Sequence, residues 1–142
     1  MEQPDQRIVS FIKKHHVLTL ATVQDNQPWC ANCFYAWHDA EIALVITSDD
    51  HTRHISEGLA NIHIGGSIVL ETKLIGKLQG LQFEGELLKA EEGSDFRSSY
   101  LKRFPFAILS GTAIWILRLT SMKFTDNRLG FGTKLTWKRN AL

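Results

Sequence analysis

The sequence has no excess of either charge. Sixteen Lys and Arg stand against fifteen Asp and Glu, a net charge of +1. Such a chain raises no global basic field, so nucleic acid is not an expected partner. It also lacks an apolar run of membrane length. The longest apolar stretch, 105–119, is broken by Ser110, Gly111 and Thr112 and carries Arg118, which makes it too short and too polar to span a bilayer. The first residues, Met1 to Arg7, contain no apolar signal-peptide core. With two cysteines and no export signal, the expected setting is the cytoplasm with reduced thiols. Internal repeats, low-complexity tracts and linkers are absent as well. A chain of 142 residues fits one domain, 1–142, with a real core.

What is present is mainly strand-like. Residues 4–16 read as a helix, because Ile8, Phe11, Ile12 and His15 share one face. Residues 17–23 alternate and are rich in β-branched side chains, so they read as a strand. A turn at Gln24 to Gln27 and a returning strand, 28–37, complete a hairpin. Residues 41–47 form a third strand, with Ile42, Leu44 and Ile46 on one face, and a short helix is expected over 50–57. Residues 61–71 hold Gly65-Gly66, which suggests two short strands or one bulged strand. Residues 81–88 are a strand with Leu81, Phe83, Gly85 and Leu87 facing one way. Residues 94–104 form a helix capped by Ser94 and stopped by Pro105. Residues 113–120 are a strand that 122–125 extends or pairs beside, and 135–137 are a last short strand. Six or seven consecutive strands with two or three helices favour a closed or partly closed antiparallel barrel over a parallel sheet.

The stretch T-S-D-D-H-T-R-H-I-S-E-G, Thr47 to Gly58, is where chemistry is expected. A strand, a polar turn and a short helix make an anion-binding corner, because a helix N-terminus offers free N–H groups. Thr52, Arg53 and His54 add side-chain donors beside Thr47 and Ser48. On the local sequence alone, a capped surface helix with solvated charges explains the same residues. Cys30-Ala31-Asn32-Cys33 has CxxC spacing, but in a strand residues i and i+3 point to opposite faces, so two ordinary cysteines are expected. His51 and His54 can share a helix face, yet no histidine has ligand spacing with the cysteines, and no metal is expected. Gly130-Phe131-Gly132 is too short for a phosphate loop.

These elements, with W-C-A-N-C-F-Y (Trp29 to Tyr35), T-R-H (Thr52 to His54), G-L-Q-F-E-G-E (Gly80 to Glu86), R-F-P (Arg103 to Pro105) and K-F-T-D-N-R-L-G-F-G (Lys123 to Gly132), resemble the FMN-binding split barrel of pyridoxamine 5′-phosphate oxidase and its relatives. More narrowly, the chain resembles the uncharacterised bacterial YhbP-like family of that superfamily. The resemblance implies a homodimeric, mainly β, antiparallel split barrel with FMN at the dimer interface. It places the FMN phosphate on Thr52, Arg53 and His54, with His54 where the oxidases carry lysine. It places the flavin ring near Asn32 and Gln82. Tryptophans such as Trp137 are stacking candidates, and Lys134 is a polar candidate near the C-terminal glycines. The oxidases' C-terminal arginine–histidine signature has no counterpart, so vitamin B6 oxidation is not expected. The resemblance leaves three outcomes open: an FMN-dependent oxidoreductase using a small redox partner, a non-catalytic flavin- or haem-binding protein, and a degenerate barrel without cofactor. No residue stands out as a catalytic acid or base.

Overall fold

In the computed structural model, which describes residues 2–109, 111–130 and 132–140, the first element is a helix, α1, over Gln6–Lys14. Asp5 caps it by accepting from the Arg7 N–H at 2.8 Å. Ile8, Phe11 and Ile12 are buried as their spacing predicts, and each contributes about 1.5–3 kcal/mol. Strands β1 (Val17–Gln24) and β2 (Gln27–Phe34) make the expected hairpin. Its turn residues Asp25 and Asn26 take φ of 51° and 61°, the left-handed pair whose twist matches the flanking strands.

The returning strand does not reach Trp37. It stops at Phe34, and a separate strand, β3 (Ala36–His38), pairs with β4 (Ala43–Thr47) instead of β1. Tyr35 between them is tied down. Its N–H donates to His16 O, and its buried hydroxyl donates to Ile12 O at 2.6 Å. Arg103 donates to the carbonyls of Lys13, His15 and Tyr35, gathering the end of α1 and the break into one knot.

The remaining strands are β5 (His63–Leu70), β6 (Gln79–Lys89), β7 (Ile114–Asp126) and β8 (Lys134–Lys138). All eight join one antiparallel sheet in the order β2-β1-β5-β6-β7-β4-β3, with β8 added to β7. Strands β2 and β3 follow each other in sequence but stand at opposite ends of that order. The sheet therefore curls until its edges meet at Tyr35, where no ladder joins them. The result is a split barrel. Its inner face carries Leu18, Leu20, Ile68, Leu81, Phe83 and Leu117, and α1 closes one mouth by setting Phe11 against Phe124, ring centroids 5.0 Å apart.

Among the later strands, two details differ from the sequence expectation. Gly65-Gly66 does not bulge; β5 runs unbroken, with Gly65 opposite Glu84 and Gly66 opposite Phe83. The bulge lies between β6 and β7, where Glu84 pairs with Ser121 but Gly85 pairs with Leu119, leaving Thr120 as the extra residue. Gly85 permits this close approach, since a Cβ there would stand 2.5 Å from Arg118 O. Of the two alternatives for 122–125 the structure has the extension: β7 is a single strand through Ile114–Asp126.

The second helix, α2, spans Arg53–Ala60 rather than 50–57. Gly58 does not end it. A Cβ at that position would meet Leu87 Cδ2 at 2.3 Å, so the glycine lets the helix pack against β6. The third helix, α3 (Asp95–Arg103), follows Ser94 as expected, although Ser94 makes no side-chain cap bond. Tyr100, Phe96 and Phe104 of this helix segment cover Ala36, Val45 and Ile114 on the outer side of β3, β4 and β7. That explains why Ala43 and Val45 are buried along with the predicted inward residues of β4. Among the described residues, no helix covers the outer face of β1, β5 and β6 in this way, while Phe34 at the end of β2 meets Phe104, ring centroids 5.5 Å apart. Among the described residues, no helix is long and apolar enough to cross a membrane. Phe131 of the Gly-Phe-Gly segment lies outside the described residues.

Candidate functional site

Strand β4 delivers Ser48 to the foot of α2. The Ser48 N–H donates to Ala113 O at 3.3 Å, and the Trp115 indole N–H donates to Ser48 O at 2.9 Å. Held from both sides, the Ser48 hydroxyl lies 2.8 Å from His54 Nε2 and 3.3 Å from Thr52 Oγ1. Thr52 Oγ1 donates to Asp49 O at 2.9 Å and lies 3.4 Å from the same imidazole nitrogen. Thr52 occupies the N-cap of α2, but no side chain caps the helix. Two hydroxyls and an imidazole thus cluster at the start of a helix whose first-turn N–H groups no side chain caps. That donor set suits an oxyanion. Thr47 does not join it; its hydroxyl reaches toward the Tyr100 hydroxyl at 3.4 Å, under α3.

Burial holds the His54 imidazole below its ordinary pKa of 6.5. The sign of the pH effect follows. Above pH 6.5 the ring is neutral in both folded and unfolded chains. Below it the unfolded chain takes up a proton that the folded chain resists, so stability falls as pH falls. His15 is lowered in the same direction, by burial first and then by Lys14, His16 and Arg103. His54→Gln is therefore expected to flatten the stability–pH slope between pH 7 and 5 by at most one proton, about 1.4 kcal/mol per pH unit. Urea titrations at stepped pH measure this, and an unchanged slope would remove His54 from the account.

Arg53 stands beside this corner but is engaged elsewhere. Its Nε donates to Glu57 Oε2 at 2.5 Å, one turn along α2. Its guanidinium lies over the Trp29 ring, 4.0 Å from the centroid. The Glu57 carboxylate is buried and also accepts from the Thr22 hydroxyl at 3.2 Å. Arg53 is thus half-exposed, pre-oriented, and left with its terminal nitrogens unbonded among the described residues. The sequence pattern did not reveal Trp29 or Thr22 because they come from other elements; Glu57, four residues on along the same helix, is the support that helical spacing could have found.

Asp49 accepts from the His51 N–H at 2.8 Å, closing the turn before α2. Asp49, Asp50 and His51 bring ligand atoms within 4.8 Å of one another, all of them exposed. His54 turns to Ser48 and is not part of that group. Cys30 is exposed and Cys33 buried, as opposite strand faces require, and burial pushes the Cys33 thiol up to about 11.

The other predicted residues divide between the two faces of the sheet. Trp137 is buried in the core and donates its indole N–H to Glu2 O at 2.9 Å. Asn32, Gln82 and Lys134 are exposed on the outer face. Strand register aligns two of them in one row: Asn32 opposite Thr19, Thr19 opposite Ser67, Ser67 opposite Gln82, Gln82 opposite Lys123 and Lys123 opposite Thr136. Asn32 Oδ1 accepts from the Thr19 hydroxyl at 3.0 Å. With strands about 4.8 Å apart, Asn32 and Gln82 are about 14 Å from each other. A neighbouring row carries Cys30, Ala21, Gly65, Glu84, Ser121 and Lys138. Around the rows Phe34, Val17 and Val69 are exposed, at 57%, 46% and 56%. The open face therefore combines an apolar margin, a polar row and a row that is small from Cys30 through Ala21 to Gly65 and charged at Glu84 and Lys138. Only the register shows this, since its members come from six strands.

No protein-family model matches the chain. The UPF0306 protein of Photorhabdus laumondii is 40% identical over 136 residues, 94% of this chain and 95% of that one. The UPF0306 protein of Klebsiella pneumoniae is 38% identical over 133 residues, 92% of this chain and 90% of that one. The chain belongs to the UPF0306 family. Solved structures similar to this UPF0306 protein include HutZ, the heme storage protein of Vibrio cholerae, with TM-score 0.66 and 16% identity over 83% of this chain and 91% of that one. A FAD-binding protein from Mesorhizobium loti matches with TM-score 0.68 and 15% identity over 84% and 91%. A NimC/NimA family protein from Clostridium acetobutylicum matches with TM-score 0.68 and 18% identity over 93% and 91%. At such identities the likeness shows the fold.

Proposed function

We propose that this UPF0306 protein is a cofactor-binding split barrel that holds FMN, and that the flavin makes it an oxidoreductase of a small redox partner. The observation that carries this reading is the corner at α2, where Ser48, Thr52 and His54 gather around uncapped helix N–H groups. A phosphate there would accept from the first-turn N–H groups and from the Ser48 hydroxyl, which is free to donate when His54 Nε2 carries the proton between the two; Thr52 gives its own proton to Asp49 O. The terminal nitrogens of Arg53 add a bidentate donor. The ring would lie on the open face near Gln82 and Asn32. A second copy would cover the exposed apolar margin of that face, giving a homodimer with the cofactor between subunits. The flavin and haem named for the structural neighbours support a flat, anionic ligand on this fold. When bound, flavin supplies hydride or electron transfer; the chain supplies binding, orientation and electrostatics.

A haem-binding reading has one observation of its own. His63 is exposed on β5, two residues from Gly65 and on the same outer side. An imidazole there is a ready axial ligand for a haem lying on the face.

One experiment decides between them. The purified protein is examined by visible spectroscopy, and its chromophore is released by heat and identified. The expected result is a flavin spectrum that bleaches when NADH or NADPH is added without oxygen. A Soret band that His63→Ala abolishes would replace flavin with haem. A colourless protein that takes up neither added FMN nor haemin would end both readings.

A further inference from the structure

Five glycines of the barrel and α2 sort into two groups. A Cβ at Gly58, Gly66 or Gly85 would lie 2.3–2.5 Å from atoms of the chain itself, so internal packing accounts for them. Gly65 and Gly80 are different. A Cβ at Gly65 meets nothing closer than Phe83 O at 3.6 Å, and one at Gly80 nothing closer than Ile68 O at 3.9 Å. Neither glycine has a positive φ. Mid-strand glycine is unfavourable for a sheet, and here neither conformation nor packing within the chain requires it. A glycine of this kind marks a place where something outside the chain comes close to the backbone.

Both glycines belong to the open outer face. They flank Ser67 and Gln82, Gly65 one row to one side and Gly80 one row to the other. The diagonal strip they define is about 14 Å long from strand spacing and rise, the scale of a fused three-ring system. Beside Gln82 stands Lys123, exposed and without an ion pair among the described residues. Glu84, in the next row, has its carboxylate occupied by the Ser121 hydroxyl at 2.7 Å. The strip is thus polar along its middle, with the Lys123 cation on one side of it, across from Gln82 on β7.

We infer that the strip from Gly65 to Gly80 is the floor on which the ligand's flat ring lies, and that Lys123 supplies the counter-charge at the ring's edge. This rests on the cofactor reading above and assigns it residues that the α2 corner does not contain. A side chain at either glycine would lift the ring off Ser67 and Gln82 without disturbing the fold.

The test uses Gly65→Val, Gly80→Val and Lys123→Gln in the full chain, titrated with FMN, riboflavin and haemin. Melting temperature and oligomeric mass are followed in parallel. Each valine variant is expected to melt at or above the wild-type temperature, keep the wild-type mass, and bind the wild-type ligand at least thirtyfold more weakly. Lys123→Gln is expected to weaken FMN and riboflavin equally, by about tenfold, because it faces the ring and not the phosphate. A valine variant that binds as tightly as wild type overturns the floor and leaves the cofactor reading standing. Valine variants that lose mass along with binding overturn it too, in favour of a face that meets protein backbone. A wild-type chain that binds none of the three probes takes down both inferences.

Discussion

Gly66→Ala is expected to destabilise the protein by about 3 kcal/mol, while Gly65→Ala, one residue earlier, leaves stability unchanged or raises it by up to about 1 kcal/mol. The two glycines alternate across the sheet. A Cβ at Gly66 would lie 2.3 Å from Phe83 Cζ and 2.5 Å from Thr19 O. The ring could shift at a packing cost, but the carbonyl belongs to the β1 ladder, where Leu20 pairs with Gly66. Relief at Gly66 therefore requires moving a strand. Gly65 faces open space on the other side. Urea unfolding of both variants, with m-values compared, measures the difference. Equal loss at the two positions would show that the register of β5 is wrong, and with it the whole outer row.

The second large effect is at Arg53. Arg53→Met removes the charged partner of the buried Glu57 carboxylate and leaves only the Thr22 hydroxyl as a described partner. A loss of about 2 kcal/mol is expected, since an uncompensated buried carboxylate is costly. The half-exposed position of Arg53 keeps the figure below that of a fully buried pair. FMN affinity is expected to fall about a hundredfold with the loss of a bidentate charged donor. The two effects separate in the double variant Arg53→Met with Glu57→Gln. Neutralising Glu57 removes the uncompensated charge, so stability should return most of the way while affinity stays low. Recovery of both would make Arg53 a support for α2 only, with no direct hand on the phosphate.

The corner at α2 was legible in outline. A strand, then hydroxyls, then Thr52-Arg53-His54 entering a helix is visible in the chain, and the structure brings Ser48, Thr52 and His54 within hydrogen-bonding range. The direction of each side chain was not legible. Thr47 looks like part of the same hydroxyl cluster, but strand alternation turns it toward Tyr100. Arg53 looks free, but Glu57 four residues on and Trp29 from β2 hold it. Trp137 looks like a stacking surface, but its strand position points it into the core. The segment from Pro28 to Trp37 reads as one strand because nothing local breaks it. The break at Tyr35 is held by its bonds to Ile12 and His16 and by Arg103, which is 68 residues away.

Local pattern, then, was enough for an antiparallel barrel of consecutive strands, the helix before its first strand, the tight hairpin at Asp25-Asn26, and the polar turn that enters α2. These depend on periodicity, β-branching and turn chemistry, which act over a few residues. Strand pairing settled which of the two adjacent glycines is packed and which is open, where the bulge falls, and that Asn32, Ser67, Gln82 and Lys123 form one row. The reason is register. A strand's own pattern says which residues share a face, but a row across strands exists only after each strand has paired at one of several offsets. The choice among those offsets is made by contacts far apart in the chain.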